Sequence, residues 1–507
     1  MFDERRPGFA SLLLTISVAT LTLAGCTVGP NFTKPTTQAP DDWTSWRSVD
    51  DSLRVTPASD AALPPKWWRA FEDPVLDRLL QRAFEASPDL MTAALRFAQA
   101  RAQRDTTAAQ RGPDLSANGG VTRQRQSEYG AGTRLIDAVA GGANRDEVVK
   151  LLSEPFTLYQ AGFDASWELD LWGRVRRSVE AADADVAQQA ALLDMARLSL
   201  ASDVARAYFG LRTAQRQISL TREDIAALQE RLSLLEAYVR GGTMNHLNLQ
   251  QQRAEVSMLK AQLPGLLAQE GANINQISLL LGVPPGELRQ ELTAAPTQLN
   301  ARLPDLALGL PSEVAKRRPD IRAAEARLHS ATANIGIAQA ALYPSIRLGA
   351  RFGYESYLSG EFADWGSRTW SIGPSLDLPI FDHGRRKSVV RLRELQQQEA
   401  AVNYQQTVLK AWQEIDDALS AYTADQQALH EQELRVQAAQ DAYQLAQARY
   451  EGGAADFLTV LDTQRSYIAA RRDLATSQGQ MNNRYVAVNK ALGNVSSPPV
   501  TQTPAPQ

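Results

Sequence analysis

Two stretches of this chain run without a helix breaker for far longer than an ordinary globular domain requires. Residues 385–451 contain neither glycine nor proline, and residues 174–240 contain only Gly210. At about 1.5 Å per residue, each stretch wound as one helix reaches roughly 100 Å, whereas globular helices average about 11–12 residues. In the first stretch, apolar residues fall at Leu200, Val204, Ala207, Leu211, Ala214 and Ile218, then at Ile225, Leu228, Leu232, Leu235 and Val239. Spacing that alternates three and four is the seam of a coiled coil. The second stretch repeats it with Val408, Trp412, Ile415, Leu419 and Tyr422, then Leu429, Val436, Tyr443 and Tyr450. Each stretch then meets a glycine pair, Gly241-Gly242 or Gly452-Gly453, where positive φ is cheap and the chain reverses into a return helix.

The chain is also a tandem repeat, which changes how every segment is read. Ser87-Pro88-Asp89-Leu90 answers Arg318-Pro319-Asp320-Ile321, and Gly112-Pro113-Asp114-Leu115 answers Tyr343-Pro344-Ser345-Ile346 at the same offset. Gly173-Arg174 answers Gly384-Arg385, and Leu281-Gly282 answers Leu492-Gly493, at a shorter offset. The first half therefore carries a longer loop between 113 and 173. Between its helices each half has strand–loop–strand segments of period two. Phe163, Ala165, Trp167, Leu169 and Leu171 alternate with Asp164, Ser166, Glu168 and Asp170, and residues 345–354 and 370–378 alternate likewise. One apolar and one charged face suits a barrel wall between lipid and water; the alternative is an amphipathic sheet on a soluble core. Four strands cannot close a barrel, for which about eight is the practical minimum, so such a wall needs several protomers.

Membrane helices are not on offer, because after residue 25 no stretch approaches the roughly 18–20 apolar residues needed. The N-terminus has Arg5 and Arg6, a mostly apolar run over 8–24, and Leu23-Ala24-Gly25 before the chain's one cysteine, Cys26. This reads as a secretory signal and lipobox, with a diacylglycerol on the Cys26 thiol. An uncleaved anchor with an accidental cysteine is the competing reading. Thr27, in place of Asp, permits sorting to the outer membrane. Lys+Arg total 53 against Asp+Glu 57, with no basic block longer than three residues, so nucleic acid is not an expected partner. His246, His329, His383 and His430 lack metal-ligand spacing. Ser257-Met258-Leu259-Lys260 fits an S-x-x-K pattern but lacks the S-D-N and K-T-G elements that go with it. No enzyme is expected, and no cofactor beyond the lipid on Cys26.

Several strings resemble the outer membrane factor family of TolC/OprM-type channels, including NodT-like efflux lipoproteins, across nearly the whole mature chain. They are Cys26-Thr27-Val28-Gly29-Pro30-Asn31-Phe32, residues 67–74, Trp167-Glu168-Leu169-Asp170-Leu171-Trp172-Gly173-Arg174, residues 317–321, and Leu378-Pro379-Ile380-Phe381-Asp382-His383-Gly384-Arg385. The resemblance implies a mainly α protein with a transmembrane β-barrel. Four strands per protomer would form a trimeric twelve-stranded barrel, long coiled-coil helices a periplasmic α-barrel, and a small equatorial belt would surround it. The implied layout is a signal peptide at 1–25, removed, and a lipidated N-terminal and equatorial segment at 26–75. Repeat 1 spans 76–282, with a β-hairpin about 113–172 and a helical hairpin at 174–281. An equatorial linker at 283–312 leads to repeat 2 at 313–493, with a β-hairpin about 344–383 and a helical hairpin at 385–492. A disordered tail at 494–507 ends the chain.

The implied function is that of a passive outer-membrane channel of a tripartite pump exporting drugs or other small toxic compounds. Its partners would be two further copies, a periplasmic adaptor, an inner-membrane transporter of the resistance–nodulation–division type, and outer-membrane lipid. The same architecture serves protein or nodulation-signal secretion, and a non-conducting trimeric coiled-coil surface protein is the reading from a different class. Carried over residue by residue, Leu458 supplies an apolar ring at a periplasmic gate, Asp462 a carboxylate ring, and Arg465 its electrostatic partner. An exposed Asp–Arg pair with no gating role is the plainer reading of Asp462 and Arg465. Gly241, Gly242 and Thr243, with Gly452, Gly453 and Ala454, match the adaptor-binding turns. Glu168, Asp170, Arg347 and Arg351 are expected to face the barrel lumen.

Overall fold

The computed structural model describes residues 27–36, 66–130, 145–242, 244–294 and 311–495, with scattered positions between 40 and 64 and at Leu306 and Leu308. Cys26, Thr243, residues 1–25 (expected to be a leader) and the residues beyond 495 lie outside the described residues. The helices are α1 (Pro74–Ala86), α2 (Pro88–Ala109), α3 (Arg145–Ser153), α4 (Arg174–Arg240), α5 (His246–Leu281), α6 (Arg289–Ala294), α7 (Pro311–Arg317), α8 (Pro319–Ala340), α9 (Arg385–Glu451) and α10 (Phe457–Ala491). Both α4 and α9 are 67 residues long. The chain divides into two units. One gathers Met1–Thr33, Arg101–Ala184 and His329–Glu399, and the other Lys34–Ala100, Asp185–Leu328 and Ala400–Gln507.

The first unit holds a four-stranded antiparallel sheet, β1 (Asp114–Gln124), β2 (Phe156–Leu169), β3 (Ser345–Ser356) and β4 (Arg368–Asp377), in the order β1-β2-β3-β4. The central β2–β3 pair joins the two halves of the chain. Its register sets Phe163 opposite Phe352 and Trp167 opposite Leu348, with Asp164 opposite Arg351 and Glu168 opposite Arg347 between them. Period two thus sorts the sheet into an apolar face, continued by Ile372 and Leu376 on β4, and a charged face. β1 and β4, the two edges, are exposed along their whole length. The β1–β2 connection carries α3, which period-two reasoning did not anticipate.

β2 ends two residues earlier than its alternation suggests. Asp170 leaves the strand to accept hydrogen bonds from the backbone N–H groups of Val175 and Arg176, both 2.9 Å. A carboxylate on the otherwise unpaired first-turn donors of α4 is favoured by both hydrogen bonding and the helix dipole. Asp382 does the same for α9, accepting from Arg386 N–H at 3.2 Å.

The second unit is built on the helical seam. Leu200, Val204, Leu211, Ala214, Ile218 and Leu228 of α4 are buried, as are Val408, Ile415, Leu419 and Tyr422 of α9. The seam loosens toward the Gly452 end, where Leu429 is only partly buried and Val436, Tyr443 and Tyr450 are half-buried. Around the upper seam one cluster gathers Trp67, Leu76, Leu79 and Leu80 with Ile277, Leu281, Leu288, Leu306, Val314 and Tyr485. α1 enters it through a capped first turn, where Asp73 accepts from Val75 and Leu76 N–H ahead of Pro74. Inside α5, Pro264 withdraws one backbone donor. No helix among the described residues is long and apolar enough to cross a membrane.

The burial gradient sets an expected result. Leu211→Ala should cost about 2–5 kcal/mol, and Leu429→Ala distinctly less, because the cavity term scales with enclosure. Paired thermal melts followed by circular dichroism check this; equal losses would refute the gradient.

Candidate functional site

The helical turns come first, because they position the site. Gly242 and Gly453 both sit at φ +71°, a conformation that costs an L-residue roughly 1–2 kcal/mol. Just beyond, Asn245 accepts from Leu247 N–H at 3.0 Å and Asp456 from Thr459 N–H at 2.9 Å, starting α5 and α10. The Thr459 hydroxyl and backbone N–H hold the Asp456 carboxyl below its usual range. Gly241, Gly242, Gly452, Gly453 and Ala454 are all exposed, as an unpartnered loop end would be.

From Asp456 onward α10 presents two stripes. Phe457, Val460, Leu461, Gln464 and Ile468 are buried, with Phe457 and Leu461 packed against Leu235 and Leu249. Leu458, Asp462 and Arg465 lie on the other stripe and are exposed, Leu458 at 48%. Arg465 Nη1 lies 3.8 Å from Asp462 Oδ1, a loose pair. Its stronger bond runs elsewhere: Arg465 Nε donates to Glu255 Oε2 at 2.7 Å, and the Glu255 side chain is only 3% exposed. Arg465 therefore belongs first to a buried carboxylate on α5, which the sequence reading missed. The available signal was an acid beside Gln252, Val256 and Leu259 at seam spacing, where a charge needs an internal partner.

Further along the same bundle the polar layer continues. Arg231 donates to Gln464 at 3.0 Å and to the Tyr443 hydroxyl at 2.6 Å, tying α4 to α10 and α9. Arg471 bridges Glu223 at 2.9 Å and Asp224 at 3.1 Å. Asp224 Oδ2, Arg472 Nε and Gln252 Oε1 are buried without a hydrogen-bond partner. Burial raises the Asp224 carboxyl above its ordinary range despite the opposing pull of Arg471 and Arg472. The short Arg471 bridge does not contradict this, because desolvation of the buried carboxyl outweighs the attraction of a guanidinium that water still reaches. Burial likewise lowers Arg472, against Asp224 and Glu255.

In the first unit, Glu168 is held by a two-pronged bond from Arg174, 2.8 Å on each prong, and Arg347 approaches it only to 3.9 Å. Arg351 lies 3.7 Å from Asp164. Glu168, Arg347 and Arg351 thus share the charged face of the sheet. Asp170 does not join them: it lies past the end of β2 and caps α4, with Arg176 Nε 3.3 Å away.

Solved outer-membrane channels share this arrangement of sheet and helical hairpins. The channel OprN superposes with a TM-score of 0.82 at 30% identity, covering 93% of this chain and 100% of its own. MtrE of Neisseria gonorrhoeae, solved in its open state, gives 0.75 at 29%, covering 93% and 100%. In sequence, outer membrane protein OprJ of Pseudomonas aeruginosa is 33% identical over 493 residues, 96% of each chain. The pyoverdine export outer membrane protein OpmQ of Pseudomonas putida is also 33% identical, over 86% of this chain and 90% of its own. The class is that of an outer-membrane efflux channel. The outer membrane efflux protein profile matches residues 79–283 and 310–494, and the chain belongs to that family. It is a family of channels, not of enzymes.

Two outcomes follow from the site's electrostatics. Arg465→Ala strands the buried Glu255 and should cost about 1–3 kcal/mol, less than a fully buried pair because water reaches the guanidinium; Asp462→Ala should cost under about 1. Chemical denaturation of both variants and of Glu255→Gln/Arg465→Met, which should recover part of the loss, tests the assignment. Because the Asp224 pKa is raised on folding, its contribution is fully present at low pH and declines as pH rises through the folded value. Asp224→Asn should therefore raise the melting point relative to the parent more at about pH 7 than at about pH 4. A larger gain in acid would reverse the sign and the reading.

Proposed function

We propose that the chain is one protomer of a homotrimeric, passive outer-membrane channel in a tripartite pump exporting drugs or other small toxic compounds. The observation that carries this is the sheet: its two edge strands are exposed throughout and its faces divide into apolar and charged. In lipid an open edge leaves backbone groups unsatisfied at several kcal/mol each, so the strands must close with copies of themselves. Three copies give twelve strands, enough for a barrel with an aqueous interior. The apolar face would meet lipid, and Glu168, Arg347 and Arg351 would face the lumen, with Asp164 beside them.

In this reading the paired hairpins form the periplasmic tunnel, and the glycine turns at 241–243 and 452–454 dock a periplasmic adaptor. An inner-membrane transporter, of the resistance–nodulation–division type, supplies the energy, and a lipid on Cys26 anchors the N-terminus. Leu458 and Asp462, exposed side by side on α10, ring the narrow end of the tunnel. Arg465 locks them by its bond to Glu255 on the neighbouring helix. Opening must then break a partly buried ion pair, which gives an adaptor something specific to compete with.

Single-channel recording in planar bilayers tests the whole reading. The parent should conduct poorly, and Asp462→Ala/Arg465→Ala should show a larger conductance. Unchanged conductance in the double variant would remove the gate, and the absence of pores in every variant would remove the channel. Drug susceptibility of a deletion strain, complemented with and without candidate transporters, reports the substrates.

A further inference from the structure

The segment just after Cys26 is seated with a closeness that a simple tether would not need. Val28 N–H donates to Trp172 O at 3.1 Å. Thr27 lies so near Gly173 that a Cβ there would meet its Cγ2 at 2.7 Å. Gly29, at φ +96°, rests on Gly336, where an added Cβ would fall 2.5 Å from the Gly336 Cα. No side chain fits at Gly29 without moving backbone, and none fits at Gly173 without displacing Thr27.

Arg177 completes the seat. Arg177 is 3% exposed, and its guanidinium donates to Val28 O at 3.3 Å, Gly29 O at 3.2 Å and Asn31 Oδ1 at 2.8 Å, with Glu180 at 2.7 Å. Phe32 stacks on His329, ring centroids 4.3 Å apart, and His329 Nε2 meets Glu180 Oε1 at 3.0 Å. Burial would raise the Glu180 carboxyl, but the bonds from Arg177 and His329 outweigh it and hold it low. Among the described residues, three of the four acceptors around this buried arginine come from residues 28–31. Without that segment, the buried cation would keep only Glu180 of the described acceptors.

The seat lies where α4 follows β2 and α8 precedes β3, the two central strands. Trp172 stacks on Tyr343 at 4.8 Å and donates to Pro344 O at 2.7 Å in the same place. We propose that residues 27–32 are an intramolecular clamp, docked on Gly173, Arg177, His329 and Gly336. The clamp couples the acylated N-terminus to the base of the sheet, so that the lipid and the strands enter the membrane in fixed register. The coupling rests on the reading that Cys26 carries lipid; the docking does not.

The test uses the full chain, expressed with its own leader and extracted from outer membranes. Hydrogen exchange and intact mass are measured on the parent, on Asn31→Ala/Phe32→Ala and on Gly336→Val. The substitutions leave the Leu23–Cys26 lipobox untouched. In the parent, the Val28 amide should be protected; in both variants, it should exchange at least about tenfold faster, as should residues 173–180, with the acyl mass retained. A parent Val28 amide exchanging like a free peptide, or protection unchanged in both variants, overturns the clamp. A protected Val28 on a mature N-terminus without acyl mass overturns the coupling and the anchor reading while leaving the docking in place.

Discussion

A helix of 67 residues has little stability of its own in water beyond what its buried stripe supplies, and that stripe is the constraint on which the second unit depends. The seam of α4 and α9 is buried where α1, the end of α5, Leu288 and Leu306 pack against it. Toward the glycine turns those covers are absent among the described residues, and the enclosed residues thin to small clusters around Leu228, Leu259 and Ile468, and around Leu235 and Leu461. Enclosure falls with distance from the main cluster. The end of the bundle that carries the candidate gate is therefore also its least consolidated end, which is where a conformational element is cheapest to build.

Charges inside that thin end follow the same logic. A coiled-coil seam accepts an ion pair at a cost in stability and returns a defined register. Glu255 with Arg465, and Asp224 with Arg471, pin α5 and α4 to α10 at fixed heights. The unpartnered Asp224 Oδ2 and Arg472 Nε show that the layer is incompletely satisfied. Such a layer holds one arrangement without burying it beyond recovery. The sheet in the first unit uses charge differently: its cross-strand ion pairs are loose, at 3.7 and 3.9 Å, while Glu168 is held tightly by Arg174 at the start of α4.

Much of the architecture was legible because its signals are periodic. Heptad spacing marks the seam from Leu200 to Val239, and alternation marks Phe163 to Leu169 and Ile346 to Phe352, each independent of distant partners. Signals failed where a residue answers to something remote. Asp170 continues the alternation of β2 in sequence, yet the open donors of α4 capture it. Helix α3 is too short for its period to stand out. Glu255 and Arg465 stand 210 positions apart, and nothing local links them.

By itself the sequence determined where the two longest helices run, over 174–240 and 385–451, and where the alternating strands of the sheet lie. Those facts follow from composition and spacing, which act over a few residues at a time. Only the tertiary structure decided which carboxylate each arginine holds, that Gly29 rests on Gly336, and that Arg177 is enclosed by the residues following Cys26. Such pairings depend on how helix faces meet, a property of three-dimensional packing that no periodicity within one helix encodes.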